Sequence, residues 1–72
     1  MGSMITVEFV ESKGWTATRG GEGSREHLHR DGTWRSSVQR EDGACTGYFY
    51  SQMGIVTAAA AFGQEIKVLK RP

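Results

Sequence analysis

Two imidazoles, one thiol and a ladder of arginines are the side chains here that could do chemistry. His27-Leu28-His29 puts both imidazoles on one side of a strand, with Asp31 close by in the chain. Cys45 joins that side once the Asp-Gly hairpins are paired. Zinc uses donors of these types. The spacing supplies two ligands at most, and a His29 packed opposite Trp34 explains the same residues without a metal. Cys45 with His27 or His29 is also the minimal pair of nucleophile and base. Nothing in the sequence activates that thiol, and a small buried cysteine accounts for it. Glu8, Glu11, Glu41 and Asp42 fall in turns or on exposed strand positions, with no pair spaced as acid and base. The chain reads as a non-enzyme, with no metal or cofactor expected.

Gly20-Gly21-Glu22-Gly23-Ser24 is no phosphate cradle. A P-loop ends in Gly-Lys-Ser/Thr at a helix start, and a dinucleotide fingerprint opens a helix. The next residues here are Arg-Glu-His-Leu-His, a strand pattern, so the glycines read as a flexible hairpin loop.

Arg25, Arg30, Arg35 and Arg40 recur every five residues. Their placement depends on two Asp-Gly pairs. An Asp-Gly loop of two residues favours a type I′ turn, in which both central residues take φ > 0. With Asp31-Gly32 as such a loop, His29 pairs with Trp34 and Leu28 with Arg35. With Asp42-Gly43 as another, Gln39 pairs with Thr46 and Ser37 with Tyr48. Cross-strand partners share a face. The expected core face then carries His27, His29, Trp34, Ser36, Val38, Arg40, Cys45, Gly47 and Phe49. The expected free face carries Leu28, Arg30, Arg35, Ser37, Gln39, Thr46, Tyr48 and Tyr50. From that face Arg30, Arg35, Ser37, Gln39, Thr46 and Tyr48 are the candidate binding residues. Arginine forks beside an aromatic ring suit phosphates, base edges or carboxylates. Arginine stems lying over Leu28 would also explain the face.

The elements around these residues come from period. Met4–Val10 alternates, with Ile5, Val7 and Phe9 toward the core and Thr6 and Glu8 outward. Glu11-Ser12-Lys13-Gly14 is a turn. Trp15–Arg19 is a second strand with Trp15 and Ala17 on one face, and Arg25–Arg30 is a third. After Tyr50 the period changes. Ser51 is a helix N-cap. Ile55, Ala58, Ala59 and Phe62 form a stripe at 3,4 spacing, and Gly63 stops the helix. Glu65–Leu69 alternates again, with Ile66 and Val68 inward, ahead of a basic Lys70-Arg71-Pro72. The architecture expected is α+β in two layers. It has an antiparallel sheet of five or six short strands with one helix packed on one face.

A chain of 72 residues holds one domain, expected over residues 4–72, with Met1-Gly2-Ser3 ahead of Met4 reading as a cloning scar. A net charge of +1 gives no global pull toward nucleic acid or acidic lipid. A single cysteine makes no internal disulfide, and no apolar run approaches the ~20 residues of a membrane span. A cytoplasmic protein away from membranes is the expectation.

Gly32-Thr33-Trp34-Arg35, then Asp42-Gly43, then Gly47-Tyr48-Phe49, then an alanine-rich helix, forms a layout. It resembles the three-stranded-sheet DNA-binding domains of phage integrase N-termini and plant ethylene-response factors, over about half the chain. Those families read the major groove with the sheet face while a helix packs behind. The resemblance implies Arg35, Ser37, Gln39 and Tyr48 as contacts. In size and composition the chain is also similar to small phage proteins that inhibit host machines such as RNA polymerase or CRISPR effectors. The near-neutral charge and the aromatic, arginine-bearing face favour a protein partner over nucleic acid. The function expected is a non-enzymatic protein-binding regulator or inhibitor. Nucleic-acid binding through the exposed sheet face is the alternative.

Overall fold

The structure, a computed structural model, describes residues 4–69. The expected cloning scar at 1–3 and the basic Lys70-Arg71-Pro72 lie outside the described residues. The elements are β1 (Ile5–Val10), β2 (Gly14–Arg19), β3 (Glu26–Leu28), β4 (Trp34–Arg35), α1 (Gln52–Ala60) and β5 (Ile66–Val68). They form one five-stranded sheet in the order β4-β3-β2-β1-β5, with α1 packed against it. This is the expected two-layer α+β fold. The sheet is mixed, not wholly antiparallel, because β5 runs parallel to β1. Parallel neighbours need a crossover connection, and α1 lies within the one that leads to β5.

Alternation in β1 does what the sequence requires. Ile5 and Val7 are fully buried, and their cross-strand partners Ile66 and Ala17 also join the core. Leu28, Ile55 and Ala59 complete the buried cluster, with Trp15, Trp34, Phe49 and Val56 packed against it. Ser51 sits in extended conformation, and its Oγ accepts the Gly54 N–H at 3.0 Å. The helix ends at Ala60, short of Phe62. Phe62 belongs to the following turn, and its ring meets Trp34 edge-on at 5.4 Å.

Both Asp-Gly turns differ from expectation, and in the same way. The loops have three residues, Arg30-Asp31-Gly32 and Glu41-Asp42-Gly43. In the first, the Gly32 N–H bonds the His29 carbonyl and the His29 N–H bonds the Thr33 carbonyl. In the second, the Gly43 N–H bonds the Arg40 carbonyl and the Arg40 N–H bonds the Ala44 carbonyl. Only the glycine of each loop has positive φ, +87° in both, so neither turn is type I′. A three-residue loop ending in a left-handed glycine is the next commonest hairpin. Asp31 and Asp42 reinforce it, each accepting through Oδ1 the N–H two residues on, at 3.0 Å.

The extra loop residue slips each pairing by one. Leu28 pairs with Trp34 and His27 with Arg35, and Gln39 bridges Cys45 in place of Thr46. A slip of one moves side chains to the other face. Leu28, expected in solvent, is therefore core beside Trp34, while His27, expected inward, faces out with Arg35. The free face carries Thr6, Glu8, Thr18, His27, Arg35 and Lys67, with Thr16 on the same side but buried among them. Trp34 and Phe49 do pack on the same core, as expected.

Residues beyond Arg35 do not extend the strand. Positions 36–49 form a second hairpin held by isolated bridges, its far arm joined to the sheet where Phe49 pairs with Trp15. Its arms touch at Gly47. A Cβ there would stand 2.7 Å from the Val38 Cα, so only glycine allows the approach.

Candidate interaction site

His29 fastens the second hairpin. Its ring is fully buried. Nε2 lies 2.6 Å from the Ser37 carbonyl and Nδ1 lies 2.5 Å from the Thr46 hydroxyl. A carbonyl only accepts, so Nε2 carries a proton and donates. At Nδ1 the ring meets the Thr46 hydroxyl, which can donate or accept. One arm of the hairpin hangs on each nitrogen. The next residue repeats the grip: Arg30 N–H bonds the Thr46 carbonyl at 2.9 Å and Arg30 Nη2 bonds the Cys45 carbonyl at 3.1 Å.

This construction separates the six candidate binding residues. Arg35 alone lies on the free sheet face. Arg35, Ser37 and Gln39 line one depression, of about 430 Å³, with Arg40 and Glu41. Arg30 and Tyr48 line another, of about 340 Å³, with Lys13, Cys45, Phe49 and Tyr50. Thr46 is half-buried and engaged with His29.

The two depressions differ in charge. In the first, both arginines already have carboxylates. Arg40 grips Asp42 with two nitrogens, at 2.6 and 3.3 Å. Arg35 reaches Asp31 at 3.8 Å and Thr33 Oγ1 at 3.1 Å. These surroundings hold the Asp31 and Asp42 carboxyls below the usual range, through Thr33 foremost in one case and Arg40 in the other. The second depression has no carboxylate in its lining. Among the described residues Lys13 and Arg30 make no ion pair, and Lys13 Nζ stands 6.0 Å from the centre of the Tyr48 ring.

Sequence reasoning did not single out Lys13, Tyr50 and Met53 as binding residues. Tyr50 is fully solvent-exposed and Met53 is 79% exposed. One signal was legible: no charged residue occurs between Asp42 and Glu65, so the far hairpin arm and all of α1 are uncharged on every side.

His27 offers a proton equilibrium on the free face. Partial burial, then His29 and Arg25, hold its pKa below the usual 6.5, with Glu8 pulling the other way. The unfolded chain thus binds this proton more tightly than the folded one. Stability from His27 is complete above pH 6.5 and falls as pH drops from there toward the depressed folded value. Melting temperature measured between about pH 7 and 5 should fall more steeply for the wild type than for His27→Gln. Parallel slopes would remove His27 as the cause.

Cys45 is exposed, not a buried thiol. His29 uses both ring nitrogens inside the fold, and His27 Nδ1 faces Thr16 Oγ1 at 3.5 Å. Among the described residues no three His, Cys, Asp or Glu side chains gather to hold a metal ion. No helix among them is long and apolar enough to cross a membrane. The molecule is thus a two-layer α+β domain with a polar sheet face and a separate cationic–aromatic depression beside an uncharged helix. No family model, curated protein or solved structure matches the chain.

Proposed function

We propose that this chain is a small non-enzymatic protein-binding regulator or inhibitor, acting by covering the surface of a partner protein. The observation that carries this reading is the exposure of Tyr50 and Met53 on a stretch without charge. Large apolar and aromatic side chains held in water are what interfaces bury, and tyrosine, methionine and arginine are enriched there. Val56 and Gln52 flank Met53 in a shallow apolar depression, and Arg30 and Tyr48 lie on the Tyr50 side. The engagement of His29 within the fold supports the non-enzymatic part. A host machine such as RNA polymerase or a CRISPR effector is the partner class suggested by likeness to small phage inhibitors.

A pull-down from nuclease-treated bacterial lysate tests this, with wild type beside Tyr50→Ser/Met53→Ser. Both side chains are exposed, so the variant should fold with stability changed by about 0.5 kcal/mol or less at each site. A discrete protein band that survives nuclease and disappears in the variant is expected. Recovery of nucleic acid alone in a parallel pull-down without nuclease would move the reading to nucleic-acid binding. That alternative draws on Arg35, set among the threonines, His27 and Lys67 of the free sheet face. Its weakness is that Arg35 already has Asp31.

A further inference from the structure

We propose that the depression between Lys13 and Arg30 receives an acidic segment of the partner protein, one in which carboxylates flank an aromatic or apolar side chain. The proposal rests on the protein-binding reading and names the chemistry of its ligand. Three elements build the site. The β1–β2 turn presents Lys13 and is closed by the Lys13 N–H to the Val10 carbonyl at 3.0 Å. The β3–β4 loop presents Arg30. The far arm of the second hairpin supplies Cys45, Tyr48, Phe49 and Tyr50.

Charge pairing singles this place out. Arg19, Arg35 and Arg40 each have a carboxylate of this chain within 4 Å. Lys13, Arg25, Arg30 and Lys67 have none among the described residues, and of these Lys13 and Arg30 meet in one depression whose lining contains no acid. Arg30 is also held in place. Its Nη2 donates to the Cys45 carbonyl at 3.1 Å, which restrains the side chain and leaves its other N–H groups to grip a carboxylate. Tyr48, half-buried beneath Lys13, and the fully exposed Tyr50 supply aromatic surface between the cations. A carboxylate on each cation and a ring against the tyrosines would use every group present.

The same groups could stack bases and hold phosphates. Two features favour the acidic protein segment. Only two cations converge here, which matches a few carboxylates better than a continuous phosphate chain. The net charge of +1 provides no long-range attraction for a polyanion.

Amide chemical shifts of the labelled full chain decide the matter with three probes of equal length. One is an acetylated octapeptide of glutamates around a central phenylalanine. The second has lysines for the glutamates, and the third is an oligothymidylate. The glutamate peptide should move the amides of Arg30, Cys45 and Tyr50. Its apparent Kd should rise about tenfold or more in Lys13→Glu, and also on raising salt from ~50 to ~300 mM. The lysine peptide and the oligothymidylate should leave those amides in place. Lys13 is exposed in a turn, so its variant keeps the fold, and unchanged shifts elsewhere verify this. A silent glutamate peptide, binding indifferent to Lys13→Glu, or stronger shifts with oligothymidylate would overturn the proposal. A silent titration together with a Tyr50- and Met53-dependent protein band would end this inference and leave the protein-binding reading standing.

Discussion

Replacing His29 with leucine should release the second hairpin from the sheet and destabilise the whole domain. Leucine fills much of the same volume but offers no polar atom. The Ser37 carbonyl would lose its 2.6 Å donor and the Thr46 hydroxyl its ring partner. Ser37 is exposed and Thr46 half-buried, so water replaces part of each lost bond, and the two losses cost about 0.5–1.5 kcal/mol each. Total stabilities of small domains are on the order of 5–15 kcal/mol, so the loss is a large fraction. Urea denaturation should show a lower midpoint. Hydrogen exchange locates the damage: the Gly47 amide, bonded to the Val38 carbonyl at 2.9 Å, should lose protection before amides of β1 and β2. Wild-type stability in His29→Leu would mean that Arg30 and the Phe49–Trp15 pairing hold the hairpin unaided.

Trp34 should show a steep dependence on what replaces it. Its ring packs on the core, meets Phe62 edge-on at 5.4 Å, and lies 4.1 Å beneath the Arg19 guanidinium. Trp34→Ala removes all three contacts and should cost about 3–5 kcal/mol. Trp34→Phe should cost much less. The indole Nε1 is buried with no hydrogen-bond partner among the described residues, so removing it breaks no bond. The comparison of the two midpoints is the test. A phenylalanine variant as unstable as alanine would show that the contacts of the full indole with Phe62 and Arg19, which a smaller ring does not reproduce, hold this corner of the core.

The same tryptophan shows how far the sequence could be read. Period alone placed β1, β2, the helix and β5, because Ile5, Val7, Ala17 and Ile55 have only one way to leave water together. The turns were harder. Asp-Gly is compatible with two loop lengths, and the two-residue form put Leu28 in solvent opposite Arg35. The observed form pairs Leu28 with Trp34 and packs both on the core. Asking which register brings those two apolar residues together would have selected it. The candidate site depended on that register, so Arg30, Arg35, Ser37, Gln39, Thr46 and Tyr48 were grouped on one sheet face and the structure divides them. The role of His29 was beyond local pattern. Its partners Ser37 and Thr46 are polar residues remote in the chain, and neither periodicity nor composition marks a ring that will bridge them. The meeting of Lys13 with Arg30 was hidden for the same reason, since only the closed fold shows which cations lack an acid.

The parallel pairing of β1 with β5 bears on how the chain is made. Of the five strands, β1 leaves the ribosome first and β5 last. β2 can cover one side of β1 as soon as the first turn forms. The other side keeps bare N–H and C=O groups, such as the Val7 carbonyl that will accept the Leu69 N–H, until β5 has emerged. An apolar, alternating strand with one open edge is a template for pairing with other chains. Long-range parallel contacts also form slowly, because the loop between them must close first. The window in which nascent copies of this protein can stick to one another is therefore governed by β5, and it narrows when Ile66, Lys67 and Val68 settle beside β1 and leave a strand of only three residues at that edge.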